Sequence, residues 1–367
     1  MVYRVIGSMS GSSLDGLDIA FTELQENSGK WNYEILKADC YPYTAEWAKK
    51  LKSAISLNAL DYQLLHTGYG HYIGNEINRF IEENELHYKV ALISSHGHTT
   101  FHVPSGKMTA QLGDGAAIAA ETGLPVVTDL RALDIALGGQ GAPIVPIGEK
   151  LLLGDYDYFL NIGGIANISF ANAGERIAFD VCPANRVLNM LANDAGREFD
   201  EGGELAATGV INEELLGELN GLSYYGQPYP KSLANDFGTD VVYPLIKKAG
   251  ISTAHALRTC VEHIAIQIKE SITTLNKGLQ LTNQRSRLLA TGGGAFNHFL
   301  IGRIKEHLLL PGIEVIIPDE NLVKYKEALI MALIGVLRWR QEYNVLSSVT
   351  GASRDSIGGA LWNGQEA

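Results

Sequence analysis

GSMSGSSLDGLD, residues 7–18, lies between two short apolar runs, residues 3–6 and 17–24, that read as strands. Small residues joining two strands let backbone N–H groups approach a phosphate chain, and Ser12 and Ser13 add hydroxyl donors. Asp15 and Asp18 would repel phosphate unless a magnesium ion or a sugar hydroxyl intervenes. An ordinary hairpin turn would use the same residue types. No GxxxxGK[ST] occurs anywhere in the chain, so the P-loop class is excluded.

Working outward, residues 45–83 read as helical, with Leu57, Leu60, Leu64 and Leu65 as the apolar face. Residues 90–94 (VALIS) form a short apolar run suited to a buried strand. Residues 114–122 read as a helix, Val126 and Val127 as strand, and LGGQGAP, 137–143, as a Gly-rich loop. Near the middle the pattern restarts. Residues 158–162 form a strand, Gly163 and Gly164 a tight turn, and 165–170 a returning strand. This repeats the N-terminal strand, turn, strand arrangement and predicts an internal duplication. Helices follow at 213–219 and 254–275, then a strand at 287–290, a glycine turn at 292–294 and a helix from 296 to 308. A strand-to-strand phosphate turn repeated in this way is the arrangement of actin-like ATPases.

Composition narrows the classes. The chain has 367 residues, room for two domains. A net charge of −12 with no basic run offers no counterion-releasing surface for nucleic acid. The three cysteines, Cys40, Cys182 and Cys260, show no CxxC spacing and argue against a disulfide framework or a structural zinc site. The longest apolar run, 328–337, is too short to span a bilayer, and MVYRVIGSMSG reads as strand and turn rather than signal peptide. A cytoplasmic protein is the expectation.

Five further segments carry chemistry. NIGGIANIS, 161–169, would supply a second phosphate-approach turn, as a clamp on a triphosphate requires, or a plain hairpin. LLATGGGAFN, 288–297, feeds glycines into a helix, where backbone can lie against an adenine ring or ribose. Phosphoryl transfer to a hydroxyl needs a base, and Asp180 in AFDVCPAN sits at a strand end. It fits that role or an N-cap for the helix that follows. His96, His98 and His102 alternate, so a shared strand face is expected. No HExxH or carboxylate partner accompanies them, and substrate contacts or a satisfied polar edge are preferred to a metal site. Asp129, Arg131 and Asp134 in TDLRALD offer charged groups for sugar hydroxyls or a solvated loop.

The chain resembles the anhydro-N-acetylmuramic acid kinases. The family pattern MSGTSxDGxD appears as MSGSSLDGLD, and HGQT as HGHT. QLGDGAAIA, LPVVTDLRALDIALGGQGAP, LNIGGIANIS, FDVCPAN, Lys231 between Pro230 and Ser232, and TGGGAFN follow in order, spanning about residues 3–335. The resemblance implies an α/β, two-lobed actin-like ATPase fold of duplicated ribonuclease H-like domains, with ATP in a central cleft. The expected lobes are residues 1–130 and 131–344, with a C-terminal helix at about 345–367 packing back on the first. Gly11, Ser12, Ser13, Asp15, Gly16 and Asp18 would hold the phosphates. Gly163, Gly164 and Asn167 would line the facing hairpin, and Gly292, Gly293 and Asn297 the adenosine side. Ser13, Asp15, His96, Arg131, Asp134 and Gln140 would bind the sugar. Asp180 falls on the family's catalytic base and Glu327 on a second carboxylate near the attacking water; otherwise Glu327 reads as a favourable charge at a helix N-terminus.

The implied reaction opens the 1,6-anhydro ring with water and phosphorylates the six-position oxygen from ATP, with Mg²⁺ as the accompanying ion. A homodimer is the implied assembly. Departures fall at Val181 and Cys182, where the family often has Thr-Gly, at His98 in place of Gln, and in the loop LANDF after Ser232. The acid, glycines and amides remain, so activity is expected. Rivals are another sugar kinase of the same fold, or a non-enzymatic actin-like nucleotide-binding module. The latter would need a peptide-binding domain or polymerisation surface for which little chain remains.

Overall fold

The computed structural model describes residues 1–11, 13–172, 175–229, 231–234, 236–279 and 286–364. The chain divides into two compact units, residues 1–154 with 325–367, and residues 155–324. This differs from the expected division at 130/131 and 344/345. Residues 131–154 and 325–344 belong with the first unit, because the second half of the helix Glu320–Trp339 packs on the first sheet.

The first unit holds β1 (Val2–Ser10), β2 (Gly16–Asn27), β3 (Lys30–Pro42), β4 (Leu92–Val103), β5 (Met108–Leu112) and β6 (Val126–Thr128). Its order is β6-β4-β1-β2-β3, with β5 on β4 and a C-terminal strand, Ala360–Trp362, antiparallel to β6. β4, β1 and β6 run parallel, while β1, β2 and β3 form an antiparallel meander. The second unit holds β7 (Tyr158–Ile162), β8 (Ile165–Asn172), β9 (Glu175–Pro183), β10 (Ser286–Thr291) and β11 (Ile313–Ile316), ordered β11-β10-β7-β8-β9. β7, β10 and β11 are parallel, and β7, β8 and β9 antiparallel. The two sheets therefore repeat one order: a three-strand meander whose first strand is flanked by two parallel strands reached through helices. The fold is α/β, the duplicated core of the actin-like ATPase class.

Each sheet is covered by helices that bury apolar faces. In the second unit the long helix Thr253–Leu279 sets Leu257, Val261, Ile264, Ile268 and Ile272 against the sheet at helical spacing. Each fully buried Leu or Ile contributes about 1.5–3 kcal/mol. In the first unit the helix 325–339 comes so close to β1 that a Cβ on Gly7 would lie 1.9 Å from the carbonyl oxygen of Ala328. Only a glycine permits that contact, and it fixes the position of Glu327 one residue earlier.

Several expectations need correction. Leu57, Leu60 and Leu64 are not core: they are exposed at 37%, 68% and 62%. The helical stretch breaks after Ala45–Ser53, and a new helix, Ala59–Glu83, starts at the N-cap Asn58. That helix buries Tyr69, Ile73, Ile77 and Phe80 instead, where Gly70 and Gly74 admit the neighbouring helix Gly115–Thr122. Among the described residues, the C-terminal segment is not a helix beyond the four residues Ser347–Thr350. It extends the first sheet, because a strand can satisfy its backbone groups on the open edge of β6. β3 was unassigned: as an outer strand it alternates polar and half-buried positions and lacks the continuous apolar run of an inner one.

Candidate functional site

In the second unit, a polar row lies at the C-terminal ends of the parallel strands, where open α/β sheets place their ligands. Thr291 of β10 stands beside Asn161 of β7, Asn161 opposite Asn167 of β8, and Asn167 opposite Asp180 of β9. Residues directly opposite one another share a sheet face, so four polar side chains form one line. A bulge sets that register. Ala166 pairs with Cys182 but Asn167 with Asp180, so Val181 is the extra residue and Asp180 meets Asn167 instead of Ile168.

Asp180 is half-buried and its carboxylate is held on one side. Its Oδ2 accepts hydrogen bonds from Ser232 Oγ at 3.0 Å and from the Leu233 N–H at 2.9 Å. Among the described residues Oδ1 has no hydrogen-bond partner, which leaves it available to accept a proton. The alternative reading as an N-cap fails: the helix Asn185–Asp194 has Ala184 at its cap, with no side-chain bond. The departures Val181 and Cys182 are buried in the core at 1% and 0% exposure. Burial also pushes the Cys182 thiol well above its usual range. Neither side chain is open to solvent.

Around Asp180, the glycines divide into two kinds. Gly292 has φ +82°, and a Cβ there would lie 2.6 Å from Asn161 Oδ1, so the chain itself requires glycine. Gly163 and Gly164 have no such need. An added Cβ would meet nothing nearer than 3.5 Å and 3.7 Å respectively, and Gly293 is equally open at 3.5 Å. Glycine where internal packing does not require it fits the close approach of a phosphate or base. The carbonyls of Gly163 and Gly164 accept from the Asn185 and Ala184 N–H groups, which fixes the turn. Asn297 caps the helix His298–Leu309 through Oδ1 on the Leu300 N–H, so that oxygen is spent on structure.

The first unit gathers the remaining candidates. In the β1–β2 turn, Ser13 Oγ donates to Asp15 Oδ1 at 2.6 Å, and the Gly16 N–H reaches the same oxygen at 3.1 Å. Gly11 stands at the start of this turn; Ser12 lies outside the described residues, as does Pro230. Gly16 is held tight by β3, since a Cβ would lie 2.6 Å from Cys40 Sγ. Burial pushes the Asp18 carboxyl up to about 6; Cys40 opposes the rise, and Asp15 and Glu327 add to it. Asp15, Asp18 and Glu327 thus share one electrostatic neighbourhood. Glu327 follows Tyr325, whose φ of −114° and ψ of 17° break the helix Glu320–Trp339, so it stands on the first turn after a restart.

Arg131 reaches the same neighbourhood. Its Nε–H donates to His96 Nε2 at 2.7 Å and a terminal N–H to the Gly141 carbonyl at 3.2 Å. Burial lowers the Arg131 pKa to about 10, against the pull of Glu327. Since the arginine only donates, His96 Nε2 is the acceptor and its Nδ1–H faces the Gly97 carbonyl at 2.9 Å. Burial, with Arg131 adding, lowers the His96 pKa to about 3, so the ring is neutral.

The three histidines do not share a face. Gly97, with φ +69°, sits in a bulge of β4 that shifts the pairing between Ser8–Ser95 and Ser10–His98. His98 Nδ1 meets Ser10 Oγ at 3.0 Å, and His102 Nδ1 meets Thr109 Oγ1 at 3.2 Å. Asp134 is corrected as a sugar ligand. It is fully buried; Oδ2 accepts from the Gly141 N–H at 2.7 Å and Oδ1 from Thr350 Oγ1 at 2.7 Å. It anchors the 138–143 loop. The Gln140 N–H is tied to the Thr350 carbonyl at 2.8 Å while its residue stays exposed, which leaves the side-chain amide outward.

Tyr224, Ser232 and Leu233 were missed as partners of Asp180. They lie 44 to 53 positions away, and no local pattern marks them. Asn161 opens NIGGIAN, where the sequence signal is carried by Gly163, Gly164 and Asn167.

The family model for anhydro-N-acetylmuramic acid kinase matches residues 3–364. The anhydro-N-acetylmuramic acid kinase of Francisella tularensis subsp. novicida is 33% identical over 380 residues, covering 97% of each chain. That of Vibrio parahaemolyticus is 33% identical over 377 residues and covers 98% of each. Among solved structures, component A of the Acidaminococcus fermentans (R)-2-hydroxyglutaryl-CoA dehydratase aligns with 16% identity and a TM-score of 0.45, over 91% of this chain and 97% of that one. Sequence similarity over nearly the whole length decides the matter: the chain belongs to the anhydro-N-acetylmuramic acid kinase family.

Proposed function

We propose that the protein uses ATP and water to convert 1,6-anhydro-N-acetylmuramic acid to N-acetylmuramic acid 6-phosphate and ADP, in the recycling of cell-wall sugar. The observation that carries the reading is Asp180, a carboxylate at the end of a polar row with one oxygen tied down and the other without a hydrogen-bond partner among the described residues. Asp180 takes a proton from water as the water oxygen attacks the anomeric carbon. The bond from that carbon to the bridging oxygen breaks, as in an inverting glycosidase. The released oxygen on carbon six accepts the γ-phosphoryl group, and ADP leaves. Glu327 is the second carboxylate that the resemblance implies for the reaction, and Ser13, Asp15, His96, Arg131 and Gln140 serve the sugar.

The open glycines Gly163, Gly164 and Gly293, with Gly11, Gly16, Gly292, Asn167 and Asn297, serve the nucleotide. Mg²⁺ binds through one or two carboxylates plus phosphate oxygens, and Asp15 and Asp18 supply carboxylates of that kind. The ion would neutralise phosphate charge. Among the described residues no helix is long and apolar enough to cross a membrane. A cytoplasmic homodimer, as the resemblance implies, completes the proposal, and sedimentation would test the assembly.

The decisive assay incubates the protein with Mg²⁺, ATP and the anhydro sugar, follows ADP and weighs the sugar product, with Asp180→Asn alongside. A product heavier by one water and one phosphoryl group, absent with the variant, is the expected result. Phosphoryl gain without water would replace ring opening with ordinary hydroxyl phosphorylation.

A further inference from the structure

Lys231 belongs to a segment that the sequence links with the site, yet its ammonium does not face the carboxylate of Asp180. It donates to the carbonyls of Tyr224 at 3.2 Å and Tyr225 at 3.3 Å, and it lies 4.6 Å from the centre of the Tyr224 ring. Tyr224 in turn donates its hydroxyl to the Asp180 carbonyl at 2.6 Å, and the Asp180 N–H donates to the Lys231 carbonyl at 3.2 Å. The three residues close a ring: Asp180 to Lys231, Lys231 to Tyr224, Tyr224 to Asp180. Both backbone groups of Asp180 are held within it.

The ring has leverage on the carboxylate, because the two donors to Asp180 Oδ2 are the next residues after Lys231. The side that holds Tyr224 is itself braced. Tyr225 Oη meets His263 Nε2 at 2.9 Å, and His263 Nδ1 meets Asn220 Oδ1 at 2.7 Å. An amide oxygen only accepts, so Nδ1 carries the proton and Nε2 accepts from the tyrosine. His263 sits in the core helix Thr253–Leu279, so the brace runs from that helix to Asp180.

We infer that Lys231 and Tyr224 are positioning residues for the catalytic carboxylate: the lysine acts as a strut beneath Asp180 and makes no contact with phosphate. The inference rests on the reading of Asp180 as the base. A catalytic group misplaced by 1 Å can cost about a hundredfold in rate, and the strut holds the two hydrogen bonds that prevent such a shift.

The test measures kcat and the KM for ATP and sugar separately in Tyr224→Phe, Lys231→Met and Asp180→Asn, and in each of the first two combined with Asp180→Asn. Tyr224→Phe keeps the ring that packs against Lys231 and guards against simple misfolding. The expected result is a kcat lower by about tenfold for Tyr224→Phe and about a hundredfold for Lys231→Met, with both KM values within about twofold of the parent. In the Asp180→Asn background neither change lowers the residual rate further, since there is no base left to place. A raised KM for ATP in Lys231→Met would make the lysine a phosphate contact and overturn the inference. So would full kcat in Tyr224→Phe, or losses that multiply with that of Asp180→Asn. Unimpaired turnover by Asp180→Asn alone would instead remove the reading of Asp180 on which the inference stands.

Discussion

The same row of the sheet exists in both units, and only one of the two carries the proposed base. Across β10, β7, β8 and β9 it reads Thr291, Asn161, Asn167, Asp180. Across β4, β1, β2 and β3 it reads His98, Ser10, Leu17, Tyr41. In the first unit Leu17 and Tyr41 are buried, and the polar half is consumed internally. Ser10 Oγ meets His98, accepts from Tyr43 at 2.8 Å, and Tyr43 meets Tyr69 at 2.6 Å. The first unit draws its candidate chemistry from outside the row: the β1–β2 turn, Arg131 after β6, and Glu327 on a helix. A duplicated scaffold fixes where side chains stand, while local sequence decides whether that place is structural or reactive.

The largest test of this contrast is Asp180→Asn. The amide keeps an oxygen for Ser232 and Leu233 but removes the proposed base, so kcat should fall by about 10²–10⁴-fold with the melting temperature nearly unchanged. A variant with normal turnover would erase the distinction between the rows. Next come the two kinds of glycine in the second unit. Gly163→Val should raise the KM for ATP about tenfold, equivalent to about 1.4 kcal/mol, with little loss of stability. Gly292→Ala should destabilise by more than about 1 kcal/mol, since its φ is positive. Thermal melts and ATP titrations read both, and a reversed pattern would mean that packing rather than ligand approach selects Gly163.

Both units bury a neutral histidine, which predicts a shared acid response. His96 and His263 are each lowered to about 3 by burial, from an ordinary value of 6.5. Between those values the unfolded chain binds the protons and the folded chain does not, so stability is full above about 6.5 and falls as pH drops toward 3. The urea midpoint should therefore decrease from pH 7 to pH 4.5, and His263→Gln should flatten part of that slope. An unchanged slope would show that this ring is protonated when folded. In the first unit, Ser10→Ala should cost about 1–2 kcal/mol by leaving His98 and Tyr43 short of a partner, and a melt would show it. The smallest effect belongs to Asp18. Its folded pKa of about 6 exceeds the ordinary 3.8, so it weakens the fold as pH rises through 4–6. Asp18→Asn should raise the melting temperature at pH 7 more than at pH 4; equal shifts would put its carboxyl in water.

The sequence by itself determined the class and most of the elements. Gly-rich hairpins at 7–18 and 158–170, the glycine turn at 292–294 and the apolar strands flanking them are local patterns, set by backbone freedom and hydrophobic spacing. It also singled out Asp180, because an acid at a strand end before a proline stands out in the chain. Which way that acid faces was decided only by tertiary structure. One bulged residue, Val181, shifts the pairing so that Asp180 stands beside Asn167, and strand register is a relation between segments that neither segment contains. The same holds for Tyr224, Lys231 and Ser232 around Asp180, and for Asp134, whose acidic side chain turned inward to hold a loop. Burial and hydrogen-bond partners at long sequence separation depend on how the chain packs, and a reading of local composition has no access to them.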